Sequence, residues 1–103
     1  MTSNIEGVII KPLSRYKDSR GWLTELYRDD ELPTGFEPKM SYLSVTMPGV
    51  ARGPHEHIAQ TDLFAFLDGE YELYLWENRP GKTADAEVHK VGAENSVAVF
   101  VPP

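Results

Sequence analysis

Apolar residues in this chain recur with a short period, and a turn signal interrupts them every several residues, a pattern that admits strands and almost nothing else. Six runs read as strands, each rich in β-branched and aromatic residues: Ile5–Leu13, Trp22–Tyr27, Tyr42–Met47, Asp62–Leu67, Glu70–Trp76 and Val97–Val101. YELYLW shows the alternation best. Tyr71, Leu73 and Leu75 share one face, and Glu72, Tyr74 and Trp76 share the other. Both faces carry large apolar groups, which predicts a strand covered on two sides or lying at a subunit interface.

Between the runs lie Asp18-Ser19-Arg20-Gly21, Pro33-Thr34-Gly35, Pro48-Gly49, Asp68-Gly69 and Pro80-Gly81. Asp68-Gly69, set between two apolar runs, is the best hairpin candidate. Asp29–Leu32 reads as one helical turn stopped by Pro33. Short strands with regularly spaced turns predict an antiparallel sandwich or barrel. The chain finishes on SVAVFVPP, so the last strand is expected to leave an unpaired edge for a second chain, or for more of a longer protein, to cover.

The 103 residues fit a single domain with a modest core. Hydrophobic residues at 41% and charged residues at 25% are ordinary for a globular chain and exclude disorder, collagen and coiled coil. No apolar run approaches the roughly 20 residues of a membrane helix. The opening MTSNIEGVII lacks the layout of a secretion signal, and a cytoplasmic location is the expectation. Without cysteine, disulfide and thiolate chemistry are excluded. A formal charge of −6 argues against nucleic acid and anionic membranes as partners. A few arginines gathered in one cleft still suffice for a small anionic ligand.

The chemistry concentrates in GVARGPHEH, residues 49 to 57, and in the stretch from there to Gly69. From Gly49 the chain reads G-x5-H-x-H-x4-D-x6-G, with His55, His57 and Asp62 at the polar positions and Gly69 at the end. On an extended segment His55 and His57 point to one side, roughly 7 Å apart. Asp62 opens the next strand and can fold back beside them. Two imidazoles and a carboxylate are the makings of a divalent-metal site. The plain alternatives are a hydrogen-bonded histidine pair at a strand edge and an acid paired with Arg52 or Lys82.

This frame resembles the first motif of the cupin superfamily, small antiparallel β-barrels that hold a ligand or metal inside. A longer series narrows the resemblance. D-x-R-G-x-x-x-E (Asp18, Arg20, Gly21, Glu25) comes first, then S-x-x-x-P-G-V-x-R-G-x-H (Ser44 through His55). Gln60, the strand pair around Gly69, W-E-N-R (Trp76 to Arg79) and G-A-E-N-S (Gly92 to Ser96) before V-P-P complete it. In that order, over about residues 5 to 103, they resemble the dTDP-4-dehydrorhamnose 3,5-epimerases and related sugar-nucleotide isomerases.

The resemblance implies a cupin-type antiparallel β-barrel or jelly roll, a single domain over 1–103 lacking the C-terminal part of the family fold, and a homodimer. It implies that His55 is the base that removes the proton beside a C4 ketone, a job suited to imidazole with its unperturbed pKa of about 6.5. Arg52, Arg20 and Glu25 would contact the nucleotide sugar, Arg20 and Glu25 in part across a subunit interface, with Gln60 and His57 completing the substrate contacts. Planar guanidinium forks fit a diphosphate better than lysine does. No metal or cofactor is required by this chemistry.

Two features depart from the family. Its enolate-stabilising lysine is replaced by Asp62, and its later histidine, tyrosine acid and orienting aspartate have no counterpart here. Two further readings therefore stay open: a metal-binding cupin using His55, His57 and Asp62, and a non-catalytic nucleotide-sugar binder.

Overall fold

The computed structural model describes all residues, Met1–Pro103. The chain is all-β and every strand pairing is antiparallel. Seven strands occur: β1 (Ile9–Pro12), β2 (Tyr16–Asp18), β3 (Gly21–Leu23), β4 (Asp62–Phe66), β5 (Glu70–Leu75), β6 (Glu87–Gly92) and β7 (Val97–Val101). The one-turn helix expected at Asp29–Leu32 is a 3-10 turn at Asp29–Glu31.

β7 organises the molecule. VAVFV carries no charge, and its five residues form the centre of a three-stranded sheet ordered β1-β7-β4. Val99 lies between Ile10 on one side and Phe64 on the other. A continuous apolar run suits a strand covered on both faces, and Val97 to Phe100 are buried. The expectation of an unpaired edge is thereby corrected: the last strand has a neighbour on each side.

β5 and β6 form the second sheet, in register from Glu70 opposite Gly92 to Leu75 opposite Glu87. Tyr71, Leu73 and Leu75 turn toward the core as the alternation predicts, while Tyr74, Trp76 and Val88 are left in solvent. Val91 of β6 joins Val97 and Val99 of β7 in the central cluster, with Ile10, Phe66, Tyr71 and Leu73 packed round it. Phe66 and Tyr71, whose ring centroids are 5.7 Å apart, close one end. Phe36 meets Phe100 edge-on at 5.6 Å. The core is small, with eight buried residues.

Asp68-Gly69 does not make the expected hairpin. β4 pairs with β7, and β5 pairs with β6, so these residues turn the chain from one sheet into the other. The corner is tight. Gly69 has φ +72°, and its carbonyl accepts the Ala93 N–H at 2.9 Å. A Cβ on Gly92 would lie 2.2 Å from that carbonyl oxygen, so only glycine fits there. Sheet pairing with a partner distant in sequence has won over local turn chemistry.

β2 and β3 form a separate hairpin, with Tyr16 opposite Leu23. The strand expected over Trp22–Tyr27 ends at Leu23. Arg15 fastens this hairpin to the rest: it stacks 4.2 Å above the Trp22 ring and donates to Ser96 Oγ at 2.9 Å and to the Leu67 carbonyl. The three sheets are not joined by strand pairing into a closed barrel.

The strand expected at Tyr42–Met47 is absent. Between residues 37 and 60 the sole backbone–backbone hydrogen bond runs from Val50 N–H to the Met47 carbonyl. Every residue there except Thr46 is exposed. A strand exists only beside a neighbour, and this run has none. Two strands escape the sequence pattern, β2 and β6, because Lys17, Asp18, Glu87, His89 and Lys90 dilute their apolar residues.

The N-terminal segment straps across both sheets. Ile5 is buried, and the Glu87 carboxylate on β6 accepts from Ser3 Oγ and Asn4 N–H, each at 2.7 Å. Arg79 donates to the Glu6 carbonyl at 2.7 Å, and Lys82 pairs with the Glu6 carboxylate.

Candidate functional site

The nine residues GVARGPHEH lie on the surface in the long segment between β3 and β4. Arg52 is anchored within it: Nε donates to Thr46 Oγ1 at 2.6 Å and a terminal nitrogen donates to the Val45 carbonyl at 2.8 Å. That grip sets the direction of the chain entering Gly53. Gly53 takes φ +115°, and a Cβ there would come 3.3 Å from His55 Cδ2. The missing side chain is what lets the His55 ring fold back over the backbone two residues earlier. His55 itself is exposed to solvent.

Three predicted residues do converge. Asp62, at the start of β4, accepts from Gln60 Nε2 at 2.8 Å, and its other oxygen lies 3.4 Å from His57 Nε2. The backbone of Asp62 is fixed by pairing opposite Val101, so β4 supplies the rigid end of this trio. His55 does not join His57 and Asp62, and no group of three metal-ligating side chains is assembled. The pairing of Asp62 with Arg52 or Lys82 is also overturned: Arg52 serves its own segment, and Lys82 holds Glu6.

Arg20 and Glu25 stand apart from this group. Arg20, in the turn between β2 and β3, folds onto Asp18 at 2.6 Å. That hydrogen-bonded contact holds the Asp18 carboxyl below its ordinary range and raises the Arg20 guanidinium. With Tyr16, Gly21 and Trp22 they line an open groove of about 300 Å³. Glu25 lies 3.5 Å from Arg28, beside a second open groove of about 410 Å³ shared with Tyr27, Asp29 and Asp30. Neither groove is lined by Arg52 or His55.

W-E-N-R, to which the sequence alone assigns no role, is a junction. Glu77 and Arg79 form a pair at 2.6 Å in which the Glu77 side chain is 3% exposed. Hydrogen bonding from Arg79 lowers the Glu77 carboxyl to about 2. Asn78, between them, donates Nδ2 to both oxygens of Glu56, at 3.1 and 3.2 Å. Glu56 sits between the two histidines, so this contact ties their segment to the turn after β5. Both stretches belong to one motif series in the sequence, but nothing there says that they touch. Arg15 carries no sequence signal either, for want of any local pattern pairing it with Trp22.

Comparison with known proteins adds a second line. The family model described as FdtA: WxcM-like, C-terminal matches residues 6–102. Spore coat polysaccharide biosynthesis protein SpsL of Bacillus subtilis is 34% identical over 100 residues, covering 95% of this chain and 66% of that protein. Probable low-salt glycan biosynthesis epimerase Agl13 of Haloferax volcanii is 31% identical over 102 residues, covering 96% of this chain and 65% of that protein. The chain thus spans just under two thirds of the length of these curated relatives. No solved structure matches it.

Proposed function

Because the chain belongs to the FdtA, WxcM-like C-terminal family, we propose that it serves glycan biosynthesis as a sugar-nucleotide epimerase or isomerase. The substrate would be a nucleotide-linked 4-keto-6-deoxyhexose of the dTDP type. The observation that carries this reading is the R-G-P-H-E-H segment, which lies inside residues 6–102, the span that the family model covers; one relative over nearly the same span is named as an epimerase.

His55 is the base. Its imidazole takes the proton from the sugar carbon beside the ketone, and the C–H electron pair moves into the carbonyl to form an enolate. A proton taken from solvent water on the opposite face then closes the enolate back to the ketone and inverts the carbon, and His55 gives its proton up to solvent. Arg52, three residues upstream, is the proposed contact to the nucleotide sugar, and its two hydrogen bonds to Thr46 and Val45 limit the rotamers it must give up on binding. Arg20 and Glu25 are the proposed contacts to the nucleotide part, with Gln60 and His57 on the sugar side. Asp62 replaces a lysine of the epimerases, and a bare carboxylate would oppose an enolate. In the fold one of its oxygens accepts from Gln60 Nε2 at 2.8 Å and the other lies 3.4 Å from His57 Nε2.

The exposure of His55 favours one competing reading, a nucleotide-sugar binder without chemistry. Solvent deuterium exchange into dTDP-4-keto-6-deoxyglucose separates the two. The epimerase reading expects deuterium at C3 or C5, falling at least about 100-fold in His55→Ala, the scale of a lost general base. Exchange that survives His55→Ala removes the base assignment. Thermal stabilisation by dTDP without any exchange establishes the binder instead.

A further inference from the structure

No backbone hydrogen bond joins the β2–β3 hairpin, which carries Arg20, to either of the other sheets. The side-chain hydrogen bonds that cross from residues 14–23 to those sheets both belong to Arg15. Its Nη2 donates to the Leu67 carbonyl and, at 2.9 Å, to Ser96 Oγ, while its guanidinium carbon stands 4.2 Å above the Trp22 ring. Ser96 Oγ in turn donates to the Gly92 carbonyl at 3.0 Å. One half-buried guanidinium thus meets three parts of the chain: the hairpin, the corner after β4 and the corner before β7. The planar group suits the place, because its face covers the indole while its edge donates.

We propose that Arg15 is a positioning residue for the nucleotide contact: it fixes the hairpin against the two corners and so holds Arg20 where a nucleoside diphosphate meets it. The inference rests on the reading of Arg20 as a nucleotide contact. Arg20 is 87% exposed and its ion-pair partner, Asp18, lies in the same hairpin, so where the hairpin sits decides where this guanidinium sits. Leu67 directly follows β4, and Asp62 opens that strand. Arg15 therefore sets the hairpin against the far end of the strand that carries the Gln60–His57–Asp62 group. A hairpin left loose would have to be ordered as the anion binds, and that ordering weakens affinity.

Calorimetric titration of the 103-residue chain with dTDP tests it. Arg15→Ala should raise the dTDP Kd about 10-fold, the scale of ordering a few residues on binding. Arg15→Lys keeps a cation that reaches the carbonyl and gives up the planar stack, so about 3-fold is expected. Trp76→Phe leaves Trp22 as the one tryptophan, and in that background Arg15→Ala should shift its emission to longer wavelength. Amides of residues 16 to 23 should exchange faster in Arg15→Ala, and those of β7 should keep their rates. Arg20→Ala separates this inference from the reading beneath it. A parent that does not bind dTDP, or an Arg20→Ala variant that binds it as the parent does, overturns the nucleotide reading and the inference with it. Binding lost in Arg20→Ala but kept in both Arg15 variants overturns the inference alone. So does an unchanged Trp22 emission, or faster β7 exchange in both variants, which would make Arg15 a brace of the whole fold.

Discussion

The runs Val97–Val101 and Met40–Met47 are built from similar residues, yet one is the centre of the fold and the other lies bare. β7 has β1 on one side and β4 on the other, and all its side chains but the last are buried. Met40–Met47 has no neighbour, so its pattern yields neither a ladder nor a core. Composition tells which segments are able to be strands. Partners decide which of them become strands, because the ladder hydrogen bonds and cross-strand contacts that stabilise a sheet belong to pairs.

The largest expected effect sharpens that contrast directly. Phe100, 4% exposed and packed on Phe36, should cost roughly 3–5 kcal/mol when cut to alanine. Leu43, 87% exposed, should cost under about 0.5 kcal/mol by the same substitution. Urea denaturation of both variants at low protein concentration measures the pair. A comparable loss in Leu43→Ala would mean that the bare run is packed in the single chain, and the contrast would fail.

The same contrast explains what is legible in the sequence. The all-β class, the position of β7, the turn at Asp29 and the inward face of Tyr71, Leu73 and Leu75 follow from local pattern. The pairing around Asp68-Gly69 does not, because a turn signal says that the chain bends, not which strand it bends toward. Gly92, whose missing Cβ admits the Gly69 carbonyl, is the non-local reason the corner closes as it does. In the candidate site, the approach of His57 to Asp62 is legible because the two lie close together along the chain, whereas the replacement of His55 by Gln60 beside them is not. The Asn78–Glu56 contact is not, since the two residues are joined by folding rather than by spacing.

Adjacent residues in W-E-N-R serve the two regions separately, and they supply the next two tests. Glu77 belongs to the packed half: with Arg79 it braces the N-terminal strap. Its carboxyl is lowered from 4.5 to about 2, chiefly by the Arg79 hydrogen bond. A depressed acid stabilises the folded chain fully above the unfolded value, and the contribution disappears as the pH falls from about 4.5 toward 2. Melting temperatures measured across that window should therefore fall less steeply in Glu77→Gln than in the parent, with the variant less stable above it. Parallel curves would show that the pair does not brace the strap.

Asn78 belongs to the other half. Its Nδ2 reaches both oxygens of Glu56, and the contact is exposed, so water replaces it at little cost. Asn78→Ala should change global stability by less than about 0.5 kcal/mol. Its effect is expected in the histidine segment alone: amides of residues 55 to 58 should exchange faster with solvent, while those of β7 keep their rates, because opening there requires the core to open. Faster exchange in β7 as well as in the segment would contradict a local contact, and unchanged exchange at 55 to 58 would mean that the bare half of the molecule is held by Arg52 and Asp62 without help from the packed one.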